Sequence, residues 1–178
     1  MLCYRQDHDQ RAESLGAGLD IEVTRPNDLV RGITTLSRPP ATRGPTALER
    51  LSARIGPHPN LETRTGDGRT LSLSEPVQAW QNRAVFHFLI APGDQQAYVT
   101  AAAATVRPGG HLVLAGFGPA GPAQCSGLPV ARHDPDSLAL AFAPAFELVA
   151  SFEADHLTPW GSTQRFLHTL FRRGAGPR

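Results

Sequence analysis

The stretch from Val77 to Phe117 constrains this chain most, because it spells strand, helix and strand in direct succession. Val77 to Gln81 is an apolar run entering from Pro76, and Asn82-Arg83 put polar groups where that strand should end. Asp94 is expected to cap the following helix by accepting free amide hydrogens of its first turn. Tyr98, Val99, Ala102 and Val106 recur at helical spacing within an alanine-rich run. Pro108 should end that helix, with Gly109-Gly110 supplying the backbone freedom for a sharp reversal. His111 to Phe117 then reads as a nearly continuous apolar strand, the pattern of a sheet covered on both faces. Two such strands joined by a helix make a βαβ unit with a right-handed connection.

The same residues carry a resemblance. WQNRAVFHFL, then VRPGGHLVLAGF, then CSGLPVARHD resemble the second half of a bacterial class I S-adenosylmethionine (SAM)-dependent methyltransferase domain, over roughly Thr46 to Arg173. In that group the fourth strand runs into Trp-His-Asp-Arg-Ala-Val-Phe-His-Phe-Leu, and an Arg-Pro-Gly-Gly turn leads to the fifth. The resemblance implies an α/β, Rossmann-like sheet with an antiparallel hairpin at its carboxyl-terminal end. It also implies SAM as cofactor. Methyl transfer needs donor and acceptor held in line more than it needs a catalytic triad. The informative residues should therefore sit in loops at the carboxyl ends of strands.

With 178 residues the chain has room for one sizeable core. A net charge of +1 argues against a general electrostatic grip on nucleic acid or anionic membrane. All seventeen basic residues are arginine, a bias that fits a GC-rich genome better than a binding surface. Cys3 and Cys125 are too few for a disulfide framework, no apolar signal or membrane-length run is present, and no metal-ligand spacing appears. These features lead us to expect a cytoplasmic protein without a metal.

Residues 1–45 read as an atypical segment, 46–173 as the α/β domain and 174–178 as a tail. Within the first segment Leu19 to Thr24 has the pattern of a short strand, and Asp28 to Leu36 that of a short helix or strand. TALE at Thr46–Glu49 is a capping-box pattern, followed by Leu48, Leu51 and Ile55 on one face and Gly56 placed to end the helix. Asn60 to Thr65 alternates like a strand and runs into a Gly66-Asp67-Gly68 turn. Beyond Phe117, GPAGPAQCSGLP reads as an irregular loop, and Asp134-Pro135 as the cap and start of a helix with Leu138, Leu140 and Phe142 as its apolar positions. Phe146 to Ala154 and Ser162 to Arg172 alternate as an antiparallel hairpin around HLTPWG.

Each candidate residue has a functional and a plainer reading. Asp67 matches the position where the resembled enzymes set an acid near the adenine amino group, yet Asp-Gly is also an ordinary turn. Asn82 and Arg83 end a strand at the expected cofactor cleft. Where the family often carries His-Asp this chain has Gln81-Asn82, which keeps hydrogen-bonding shape but removes a base and a charge. His87, between Phe86 and Phe88, is either a cofactor-pocket contact or a buried, hydrogen-bonded histidine. Trp160 walls a substrate pocket or packs in a turn held by Pro159 and Gly161. Cys125 reads as a structural thiol rather than a nucleophile served by His133 or His156. Gly116-Phe117-Gly118-Pro119-Ala120-Gly121 spells a dinucleotide fingerprint, but Pro119 and Pro122 oppose the helix it must open.

The opening half of a class I site is missing. Gly16 and Gly18 precede the candidate strand Leu19 to Thr24 instead of following it, and no acid lies between Pro39 and Thr46 to take ribose hydroxyls. Three functions follow from the residues. One is a SAM-dependent methyltransferase for an unidentified acceptor, impaired by loss of the glycine loop. The second is a non-catalytic relative or frame-shifted remnant, pairing with another copy through a sheet edge left open. The third, resting on the Gly116 pattern alone, is an NAD-type oxidoreductase.

Overall fold

A computed structural model describes the backbone of two amino-terminal strands, residues 53 and 56, and residues 67–125, 127–157 and 161–175. Its main feature is a six-stranded mixed sheet. The strands in chain order are β1 (Gly18–Arg25), β2 (Leu29–Leu36), β3 (Val77–Arg83), β4 (Val106–Phe117), β7 (Phe146–Leu157) and β8 (Thr163–Arg173). Between β4 and β7 lie two-residue strands β5 (Gln124–Cys125) and β6 (Leu128–Pro129), paired with each other. The large sheet has the order β2-β1-β3-β4-β8-β7. Among the described strands only β3 and β4 pair in parallel, joined by helix α1 (Pro92–Thr105), as the strand-helix-strand pattern predicts. Strand β8 returns antiparallel between β4 and β7, forming the expected carboxyl-terminal hairpin.

The amino-terminal strands depart from a class I sheet. β1 lies against β3 but runs antiparallel to it, with Asp20 opposite Arg83 and Thr24 opposite Ala79. The segment read as either helix or strand from Asp28 is a strand, completing a hairpin with β1. Apart from Ala53 and Gly56, the remainder of the segment before Asp67, including the strand expected at Asn60, lies outside the described residues. Of the helix expected at Thr46, Ala53 is helical and Gly56 takes a left-handed φ of 72°, the conformation of a helix-ending glycine.

Alternation along the central strands builds two clusters. Trp80 on β3, Leu112 and Leu114 on β4 and Phe171 on β8 are buried in one of them. It is closed by Tyr98, Val99 and Ala102 of α1 and by Leu138 and Phe142 of α2 (Pro135–Phe142). Phe142 touches four aromatic rings, stacking on Phe171 at 4.9 Å and tilting against Phe86 at 5.2 Å. A second, smaller cluster gathers Ala84, Ala115, Phe117, Cys125 and Phe166.

Three local expectations are corrected. Ala91, not Asp94, is the cap residue of α1, and no side chain caps it; Pro92 occupies the first turn, where its missing N–H costs nothing. The helix stops at Thr105 rather than at Pro108, which lies inside β4. The register between β3 and β4 slips between Val77–Val106 and Ala79–His111, so Arg107 to Gly110 bulge out of the ladder. Gly109 has a φ of 75°, and a Cβ on Gly110 would lie 2.7 Å from the Gln78 carbonyl oxygen. Finally, Leu140 is 80% exposed, because it lies away from the buried face of α2 formed by Leu138 and Phe142. The cap at Asp134 does form, its carboxylate accepting from the Ser137 N–H while the Ser137 hydroxyl accepts from the Asp134 N–H.

Candidate functional site

The carboxyl ends of parallel strands are where a sheet of this kind offers a cleft. Here those ends are Asn82-Arg83 on β3 and Gly116-Phe117 on β4. Ala84 then takes a left-handed φ of 57°, unusual without glycine, while its N–H donates to the Ala115 carbonyl at 2.7 Å. That bend turns the chain into a 3-10 turn at Phe86–Phe88. His87 is thereby carried under the end of β4, where its ring stacks on Phe117 at 5.0 Å.

Asn82 is 1% exposed, and its polar atoms are engaged within the protein. Its Nδ2 donates to the Tyr98 hydroxyl of α1, and its Oδ1 accepts from the Phe86 N–H at 3.3 Å. Burial raises the Tyr98 pKa well above its usual range, so the phenol stays protonated. Asn82 therefore ties β3, α1 and the His87 turn together.

Asp67 opens a turn closed by the Thr70 N–H. Both of its carboxylate oxygens accept from Arg69: Oδ1 from the backbone N–H and Nε, Oδ2 from Nε and a terminal guanidinium nitrogen. The other terminal nitrogen donates to Asp94 at 2.6 Å, linking the turn to the start of α1. Hydrogen bonding to Arg69 holds the Asp67 carboxyl below its usual range and the guanidinium above its own. The sequence reading did not single out Arg69, although an Asp-Gly-Arg run is compatible with a residue folding back on the acid two positions earlier.

Arg83 lies with its guanidinium 5.8 Å from the centre of the Phe166 ring, and its buried Nε has no hydrogen-bond partner. His87 is 2% exposed, with both ring nitrogens likewise unpartnered. Burial lowers its pKa to about 4, so it is neutral at pH 7. His87 and the half-buried His133 line one cavity of about 290 Å³, open mouth included, together with Phe86, Leu114, Phe117, Leu138 and Leu167. His133 also has a buried, unpartnered Nε2, and burial lowers its pKa too. Trp160 lies outside the described residues.

Two alternatives lose their footing. The glycine pattern from Gly116 opens no helix; Gly118 to Gly121 close a turn by a 2.9 Å backbone bond, and the next element is β5. A Cβ on Gly121 would lie 2.8 Å from that of Phe117, so packing requires this glycine without any ligand. Cys125 is buried and is not a free thiol, which corrects its reading as a structural thiol and removes it as a nucleophile. Among the described residues no cluster of three His, Cys, Asp or Glu could hold a metal ion, and no helix is long and apolar enough to cross a membrane.

Tested against an adenosyl group, the described residues do not make a complete site. Of the four residues expected to contact the cofactor, Asp67 and Asn82 have their hydrogen-bonding atoms taken by neighbours, and Arg83 and His87 carry unpartnered ones.

No protein-family model and no curated protein matches the chain. Solved structures do. The 1,6-didemethyltoxoflavin-N1-methyltransferase of Burkholderia thailandensis, with bound 1,6-didemethyltoxoflavin and S-adenosylhomocysteine, matches with a TM-score of 0.59 at 17% identity, over 80% of this chain and 60% of that one. The N-methyltransferase NodS of Bradyrhizobium japonicum WM9, in complex with S-adenosylhomocysteine, gives 0.55 at 16%, over 73% and 63%. A SAM-dependent methyltransferase of Anabaena variabilis gives 0.56 at 14%, over 80% and 68%. The chain thus spans less than two thirds of the first two enzymes. What these likenesses share with it is the fold, a Rossmann-like methyltransferase sheet.

Proposed function

We propose that this chain is a SAM-dependent methyltransferase for an unidentified acceptor, with its cofactor grip weakened at the amino-terminal side. The observation that carries the reading is the likeness of its sheet to enzymes whose structures hold S-adenosylhomocysteine. When bound, SAM supplies a methyl group already activated by its sulfonium, so the task left to the chain is orientation. Arg83 and His87, at the carboxyl end of the parallel pair, are the residues proposed to contact the cofactor. Asp67 joins them only when Arg69 releases it, and Asn82 acts by holding the turn that carries His87. Trp160 remains a proposed wall of the acceptor pocket.

Calorimetry with S-adenosylhomocysteine tests this. Micromolar binding, weakened about tenfold in Asp67→Ala and strengthened in Arg69→Ala, is the expected result. A second reading, a non-catalytic methyltransferase-like domain that pairs with another copy, is favoured by the Arg69 clasp on Asp67 and the internal commitment of Asn82. Absence of binding in both the parent chain and Arg69→Ala would leave that second reading standing.

A further inference from the structure

We propose that His87 and His133 form a head-group subsite for a neutral hydroxyl- or amine-bearing small molecule, whose body lies in the apolar mouth of their cavity. Calling that molecule the methyl acceptor rests on the function proposed above; the subsite itself does not.

Three features point to it. Both ring nitrogens of His87 are buried without a partner, and the buried Nε2 of His133 has none either, while all three atoms belong to residues lining one cavity. Buried polar groups are normally satisfied, so a cavity whose lining residues carry three unsatisfied nitrogens fits a molecule that supplies hydrogen bonds. The rings are also held in place. His87 lies between Phe117, stacked at 5.0 Å, and Phe88, edge-on at 4.5 Å, and the ring of His133 is 5.5 Å from that of Phe86. Lastly, Gly116 presents no side chain there; a Cβ on it would sit 3.7 Å from Nδ1 of His87, in ordinary contact with that nitrogen.

The chemistry selects the ligand. A neutral imidazole offers one donor and one acceptor, which a hydroxyl or an amine answers with both of its own. Phe86, Leu114, Phe117, Leu138 and Leu167 supply the rest of the wall and no charge. An anion would find no cation among these lining residues, and a metal ion would find no third ligand among the described residues. The enclosed end has room for little more than a water, so it takes the polar head and leaves the body towards the mouth.

Phenol is the probe, with toluene as its counterpart lacking the hydroxyl. In nitrogen-15 spectra of the imidazoles of the full chain, phenol should shift the His87 and His133 resonances saturably, and toluene should not. Gly116→Ala meets only ordinary contacts, so it should melt within a few degrees of the parent while weakening phenol binding about tenfold. His87→Phe, which keeps the ring stack but removes the nitrogens, should bind phenol no better than toluene. Unchanged imidazole signals at saturating phenol, or an equal response in Gly116→Ala, would overturn the subsite, including the case in which a fixed water refuses displacement. S-adenosylhomocysteine titrated into a separate, phenol-free sample of the full chain separates the two readings. A phenol response without cofactor binding keeps the subsite and sinks methyl transfer; the reverse result sinks the subsite alone.

Discussion

His87 gives this protein a pH dependence whose sign follows from its burial. Its folded pKa of about 4 lies below the ordinary 6.5, so the unfolded chain binds the extra proton between those values. Stability is therefore full above about pH 6.5 and falls as the pH drops towards 4, by about 3 kcal/mol in all. His133 and His168, also lowered by burial, act in the same direction. Asp67 behaves separately: its depressed carboxyl contributes above the ordinary 3.8 and is lost only in more acid solution. Urea unfolding at pH 7 and pH 4.5 should show the loss, and His87→Phe should flatten it. Asn82→Ala is expected to cost about 2–4 kcal/mol in the same assay, because it strands the Tyr98 hydroxyl and the Phe86 N–H in the core. That assignment was beyond the sequence. Asn82 stands where the resembled family carries an acid, and nothing in the run WQNRAVF says that its amide turns towards a tyrosine sixteen residues on rather than into the cleft.

At the scale of elements, Gly110→Ala should be among the most damaging single-methyl changes, since the added carbon meets backbone oxygens of Gln78 and Arg107 within 3 Å. We expect a loss of about 2 kcal/mol or more and a clear fall in melting temperature, against a small effect for Gly93→Ala, where nothing lies within 4 Å. Much of the element order was legible. The apolar runs of β3 and β4, the alanine-rich helix between them and the Asp134-Pro135 start of α2 each follow from local chemistry. The errors share a cause. Pro108 and Gly109-Gly110 look like a helix stop and a reversal, but the chain spends them on a bulge within β4, which only pairing with β3 could reveal. Leu140 likewise fits an apolar spacing, and only the position of the sheet shows which face of so short a helix is covered.

At the scale of the molecule, the sheet has a parallel centre and antiparallel flanks on both sides. Strand β1 occupies the edge of β3 away from β4, so the outer strands of the described sheet are β2 and β7. Removing residues 1–36 would strip the pairing from Ala79 to Arg83 and leave unpaired backbone groups on a central strand. Such a truncated chain should elute as a dimer or larger species at concentrations where the full chain does not, and a monomeric truncation would show that β1 does not protect β3. The direction of β1 was not legible either. A short run such as LDIEVT carries no mark of orientation, because strand polarity is decided by the connections around it.

The bend at Ala84 sets the heading of the turn that carries His87, although its side chain is a lone methyl. By holding a left-handed backbone that glycine would adopt at ease, it confines Phe86–Phe88 to one heading. Ala84→Gly would thus loosen the aim of the His87 imidazole without removing any atom of the ring or of its neighbours.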